Sequence, residues 1–151
     1  MNPVYQEYIA YLDELGDVLD QLTQVARAKA IAAHNGDMEQ LDQCMKQEQA
    51  FSMSLRSMDH RRDQMLEAMG LQDVVLSQLA AHYPPELRGQ AAQAAERALN
   101  RYDGYVAASN AAMTSLECVL RDIQRMMPEN QPLPETPPDA PPPRLKTDFR
   151  A

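Results

Sequence analysis

No apolar run in this chain approaches the ~18 residues that a membrane-crossing helix needs. The N-terminus, MNPVYQEY, is acidic and has no apolar signal core. A soluble, cytoplasmic protein without stable membrane insertion is therefore expected. Cysteine is scarce: Cys44 and Cys118 are too few and too far apart for a disulfide framework or a zinc site. Both are expected as buried, reduced thiols on apolar helical stripes. The five glycines are each isolated, so no loop can cradle a phosphate. His34, His60 and His82 are scattered without metal-ligand spacing, and no serine has a triad context. No catalytic set, metal or cofactor is expected. Positive charge is also short. The formal net charge is −8, which disfavours nucleic acid as a partner. The first basic residue is Arg27, preceded by Glu7, Asp13, Glu14, Asp17 and Asp20. The helix field reaches only the first turn. Asp17 and Asp20 then serve solubility or attract a basic partner.

What the chain has in abundance is helical periodicity. Apolar residues recur at alternating steps of three and four, and no segment alternates with the period of a strand. The first helix is expected over 3–33, from Asn2 as cap and Pro3 as first residue. Its seam is Tyr8, Tyr11, Leu15, Val18, Leu22, Val25, Lys29 and Ala32, widened by Leu12, Leu19, Ala26 and Ala33. A stripe this broad packs against more than one neighbour. Asn35 and Gly36 close the helix and Asp37 caps the next. The second helix, 38–69, carries Leu41, Cys44, Glu48, Phe51, Leu55, Met58, Arg62, Met65 and Met69 inward, and Gly70 ends it. A short helix is expected over 73–82. Pro84 and Pro85 then open the last helix, 85–127. Its seam reads Ala95, Ala98, Tyr102, Tyr105, Ser109, Ala112, Leu116, Val119, Ile123 and Met126. Leu99, Val106, Met113, Leu120 and Met127 form a parallel row. The fold expected is all-α: an elongated antiparallel bundle of three long helices and one short one. At ~1.5 Å per residue the last helix spans roughly 60 Å against ~45 Å for the first two, so it overhangs them or kinks at Gly104.

Residues 1–127 form one bundle domain in this reading, and 128–151 a Pro-rich disordered tail. Eight of the eleven prolines lie between Pro128 and Ala151. Proline lacks a backbone donor and fixes φ, so this segment favours polyproline II over helix or sheet. It ends in RLKTDFRA, a basic tip with Leu145 and Phe149. Twelve residues from Pro132 to Pro143 would hold that tip roughly 37 Å away from the bundle.

Three charges interrupt the seams: Lys29, Glu48 and Arg62. Folding the hairpin about Gly36 leaves Glu48 ~7 Å along the helix from the position opposite Lys29, and Arg62 ~21 Å beyond Glu48. They do not converge on one small substrate and read as register or rim charges. Six of ten methionines lie in the second helix. Met58, Met65 and Met69 fall on the seam as core. Met53 falls off it and is expected as an exposed apolar contact.

Residues 25 to 70 read VARAKAIAAHNGDMEQLDQCMKQEQAFSMSLRSMDHRRDQMLEAMG. The chain here resembles flagellar export chaperones of the FlgN kind, which serve hook–filament junction proteins. The shared features are Lys29 near the end of a long first helix, the Gly36-Asp37 turn, Glu48-Gln49, Leu55-Arg56 with Arg62, and Gly70. Asn110 ahead of the apolar run ending in SLECVLRDI is similar too. The family often has a glycine shortly after that asparagine, where Ala111 and Ala112 stand here. The resemblance implies a cytosolic chaperone that holds the helical, aggregation-prone terminal segment of a junction protein before type III export and docks at the export gate. Val106, Met113, Leu116, Leu120, Ile123 and Met127 would then form the substrate-binding wall, because the last helix outruns its neighbours. Leu145 and Phe149 would anchor the tip at the gate. The alternatives are a helical adaptor between folded proteins, unrelated to secretion, and a helical enzyme of the mutase type, which the separated seam charges oppose.

Overall fold

A computed structural model describes residues 3–126. Expectations for Asn2, for Met127 and for 128–151, Leu145 and Phe149 included, lie outside these residues. Helix α1 spans Val4–Asn35, α2 Met38–Met69 and α3 Arg88–Met126, with a 3₁₀ helix over Leu76–His82. There is no strand among the described residues.

The turns form for the reasons the sequence suggests. Gly36 adopts φ 67°, and its N–H and that of Asp37 donate to the carbonyls of Ala33 and Ala32. This pair of bonds closes a helix through a left-handed residue, which glycine enters without a Cβ clash. The Asp37 carboxylate then accepts from the Gln40 N–H at 3.1 Å and caps α2. Gly70, at φ 71°, repeats the arrangement against Leu66 and Glu67.

The short helix differs from expectation. It begins three residues later than 73 and is 3₁₀. Val75 before it and Tyr83 after it are both extended; Tyr83 precedes Pro84, which disfavours a helical backbone there. Three residues per turn align Leu76 and Leu79, both buried, on one face. α3 starts at Arg88 instead of Pro85, because Pro84 and Leu87 first close a turn of their own.

Each long helix reverses the one before. Arg61 pairs with Glu14 and Glu48 with Lys29, so α2 runs antiparallel to α1. Arg97 pairs with Asp13 and Arg101 with Asp17, each 84 residues apart, so α3 runs parallel to α1. α1 is central. Both other helices pack on it, while no Cα of α2 approaches within 8 Å of α3 among the described residues. Gly16 sits where Arg101 crosses α1: a Cβ there would lie 2.4 Å from Nη1 and 2.8 Å from Cδ. The missing side chain lets Arg101 reach both Asp17, at 3.4 Å, and Asp20, at 3.3 Å. Asp13, Glu14, Asp17 and Asp20 are thus paired with arginines of their own chain. Exposed pairs of this kind contribute about 0–1 kcal/mol each, and they set register more than stability.

The core is uneven along the rod. A continuous cluster joins Val4, Tyr8, Tyr11, Leu12, Leu15, Leu19 and Leu22 of α1 to Leu55, Met58, Met65 and Leu66 of α2. Leu71, Leu76, Leu79, Tyr83 and Leu87 close its base, and α3 adds small residues from Ala91 to Ala98, then Tyr105. Toward the Gly36 turn the buried residues are Val25, Ala26, Ala32, Ala33, Cys44 and Ala112, and none of them belongs to that cluster. Met58 and Met65 are core as expected, with Met69 half-buried.

The base also holds polar groups. The Tyr83 hydroxyl donates to the Tyr5 carbonyl at 3.0 Å, and the two rings meet edge-on at 4.9 Å. Burial, then the neighbouring Tyr11, pushes the Tyr8 hydroxyl well above the usual tyrosine range. Burial does the same for Tyr83, and lifts Tyr105 to about 12 with help from the charge of Glu48. Tyrosine in an unfolded chain ionises near ~10. The folded state therefore holds these protons longer, and their contribution is complete below about pH 10 and lost as pH rises through the folded values. Tyrosinate absorbance from these residues should appear only together with loss of helicity. Ionisation of all tyrosines near pH 10 with the fold intact would contradict this burial.

The two cysteines part company. Cys44 is buried as expected, but Cys118 is exposed. It lies two residues, ~200° of helix rotation, from seam residue Leu116, and so points away from α1. A thiol reagent should modify Cys118 quickly in native protein and Cys44 only on unfolding. Two equally fast thiols would refute this packing.

Candidate functional site

The distal half of the bundle, near the Gly36 turn, is built from α1 25–35, α2 38–51 and α3 109–126. Carried along α3, the offset of 84 puts Asn35 level with Val119. Residues 120–126, ~10 Å of helix, extend past the end of α1. Arg121 through Met126 are all exposed, and Ala112 is the last fully buried residue of α3. The expected overhang is present, and α3 is unbroken through Gly104.

The proposed wall residues fall along this stretch. Val106, Met113, Leu116 and Leu120 are half-buried, and Ile123 is 41% exposed. Met127 lies outside the described residues. Tyr105 is buried on the same stripe, so Ala112, Leu116, Val119 and Ile123 continue the face that α3 turns toward α1 lower down.

Sequence periodicity missed other members of this surface. Ile31 is 61% exposed, Met38 69% and Met45 47%, and Met126, expected on the seam of the last helix, is 85% exposed. With Ile123, these are five of the six large apolar side chains standing in solvent among the described residues; the sixth, Met53, is the one expected to be exposed. Ile31 lies eighteen residues, five full turns, beyond Asp13 and so on the flank of α1 that faces α3. Met38 and Met45 start α2 beside the same end. The available signal was the run of alanines around Ile31, which cannot fill a broad core.

The seam charges behave in part as expected. Arg62 pairs with its neighbour Asp63 near the base, far from the others. Lys29 and Glu48, in contrast, meet at 3.2 Å. Their flexible side chains bridge the separation that the hairpin register leaves along the helix axis. The pair is partly shielded, at 18% and 34% side-chain exposure, and interrupts the apolar seam where the large core side chains stop. Asp59 is buried close to Tyr8, while its neighbour His60 is exposed. Nothing in this half assembles acid, base and nucleophile around a cavity. A cleft of about 550 Å³ lies at the other end, lined by Val4, Glu7, Ala10, Arg61, Gln64, Met65 and Ala68. Among the described residues no group of His, Cys, Asp and Glu could hold a metal ion, and no helix is long and apolar enough to cross a membrane.

An elongated three-helix rod with a thin, apolar, partly uncovered end is suited to holding another helix. Comparison with curated proteins and with solved structures gives no match. Residues 1–103, which include the α1–α2 hairpin and the core of the base, match the family described as FlgN protein. The match stops just before Gly104, so the overhanging part of α3 lies beyond it. With about two thirds of its length matched, the chain belongs to the FlgN family of flagellar export chaperones.

Proposed function

We propose that this protein is a cytosolic chaperone for hook–filament junction (hook-associated) proteins, holding a helical terminal segment of the client along the distal stripe of α3. The observation that carries the reading is the continuation of that stripe past the end of α1, where Ile123 and Met126 stand exposed. Val106, Met113, Leu116, Leu120 and Ile123 would contact the client, with Met127 continuing the row. Occupying a segment that the client needs for polymerisation would keep it monomeric by mass action. The basic tip, with Leu145 and Phe149, is proposed as the anchor at the export gate, so that the bundle holds one partner and the tail meets another.

Titrating the full chain with a monomeric junction protein tests the first part. A saturable complex that slows junction-protein polymerisation is expected, and absence of a complex would refute the reading. Deleting 128–151 tests the second. Client affinity should remain within about twofold while secretion of the client and motility fall. Unchanged secretion would remove the tail from the mechanism.

A further inference from the structure

The distal half lacks what the proximal half has. Its buried side chains are alanines, one valine and Cys44, and the seam between α1 and α2 closes there on the Lys29–Glu48 ion pair. Five large apolar side chains from all three helices remain in solvent around it. α2 and α3 flank α1 there without approaching each other, which leaves a groove between them. Glu48 stands thirteen residues, ~220° of helix rotation, before Arg61, and so on the flank of α2 opposite the Arg61–Glu14 pair; its charge reaches Tyr105 of α3. Leu41 and Met45, seven and three residues before Glu48, share that side of α2. Met113 and Leu120, eight and fifteen residues beyond Tyr105, stand on the opposite wall. The charges at the rims are satisfied within the chain, Glu48 by Lys29 and Glu117 by Arg121.

We infer that this groove is a two-walled helix-binding site, in which Met38, Leu41 and Met45 of α2 face Met113, Leu120 and Ile123 of α3, and an amphipathic helix of the client completes the distal half as a fourth helix. The inference rests on the reading above, that the client binds distal α3, and adds α2 as a second wall. The occupant follows from continuity. The face of α3 that packs on α1 below continues upward uncovered, so the group that packs there takes a helix's place. The groove from residue 109 to residue 126 is roughly 27 Å long, enough for about five turns. With the rim charges paired internally, the occupant's contact face is apolar and uncharged. Methionine walls adapt to varied side chains, which suits more than one client.

The test uses full-length chain and a monomeric hook–filament junction protein. Met38 and Met45 are exposed, so Met38→Glu with Met45→Glu should leave the fold and its melting temperature unchanged. This double variant should weaken client binding at least tenfold. If it binds within twofold of wild type while Leu120→Glu with Ile123→Glu abolishes binding, the second wall is refuted and the α3 reading stands. If neither double variant affects binding, both fall. Hydrogen exchange supplies a second measure. Client binding should slow exchange in 38–48 and in 109–126 together, with little change in 4–22. Protection gained on α3 alone would overturn the inference. A stable dimer of the chain by itself, dissociated by the methionine variant, would assign the groove to a second copy and also overturn it.

Discussion

Leu15→Ala is expected to cost about 3 kcal/mol of stability, within the ~2–5 kcal/mol of buried leucine truncations. Leu15 is fully buried in the central helix and belongs to the proximal cluster. Removing its branched end leaves a cavity within that cluster, which the close-packed helices cannot fully close. Against a typical total of ~5–15 kcal/mol, that is a large fraction. Ile31→Ala, sixteen residues further along the same helix, should change stability by no more than about 0.5 kcal/mol, because its side chain stands in water. Denaturant unfolding of both variants measures the difference. Equal losses at Leu15 and Ile31 would show that the distal half has a core of its own, and the polarised packing would be wrong.

The second large effect concerns binding. Leu120→Glu with Ile123→Glu should reduce client affinity on the order of 100- to 1,000-fold. Each substitution removes an apolar anchor and places a carboxylate without a partner in a desolvated contact; anchors of this kind are worth ~2 kcal/mol or more, and every 1.4 kcal/mol is about tenfold. Both positions lie beyond the level of Asn35, so the folded chain loses little, and far-UV circular dichroism should match wild type. Unfolding of the variant would make these side chains ordinary core. Retained binding with the fold intact would move the client site elsewhere.

The position of the stability gradient bears on function. A chaperone must hold its client and also release it. In the reading proposed above, the proximal cluster keeps the rod intact while the thin distal half would gain packing when a client helix arrives. Segments with few buried apolar contacts open most readily, and opening and closing at the distal end can proceed without loss of the whole fold.

Much of this was legible in the residues alone. Helix period follows from local repetition, so the seams of α1 and α2, the turns at Gly36 and Gly70 and the all-α fold could be read from spacing. The same spacing identified Met53 as exposed and Cys44 as buried. Turn chemistry is equally local: Gly36 and Asp37 act within five residues of themselves. Three features were decided only by the tertiary structure. Asp13, Asp17 and Asp20 look like surplus charge until α3 returns parallel to α1 and brings Arg97 and Arg101 beside them. Lys29 and Glu48 meet because two long side chains bridge a gap that counting along helix axes leaves open. Cys118, Ile31, Met38 and Met45 are exposed because burial depends on which neighbour is present at that level of the rod and on which flank. Periodicity tells which face of a helix is apolar; where the covering helices begin and end decides how much of that face remains available to a partner.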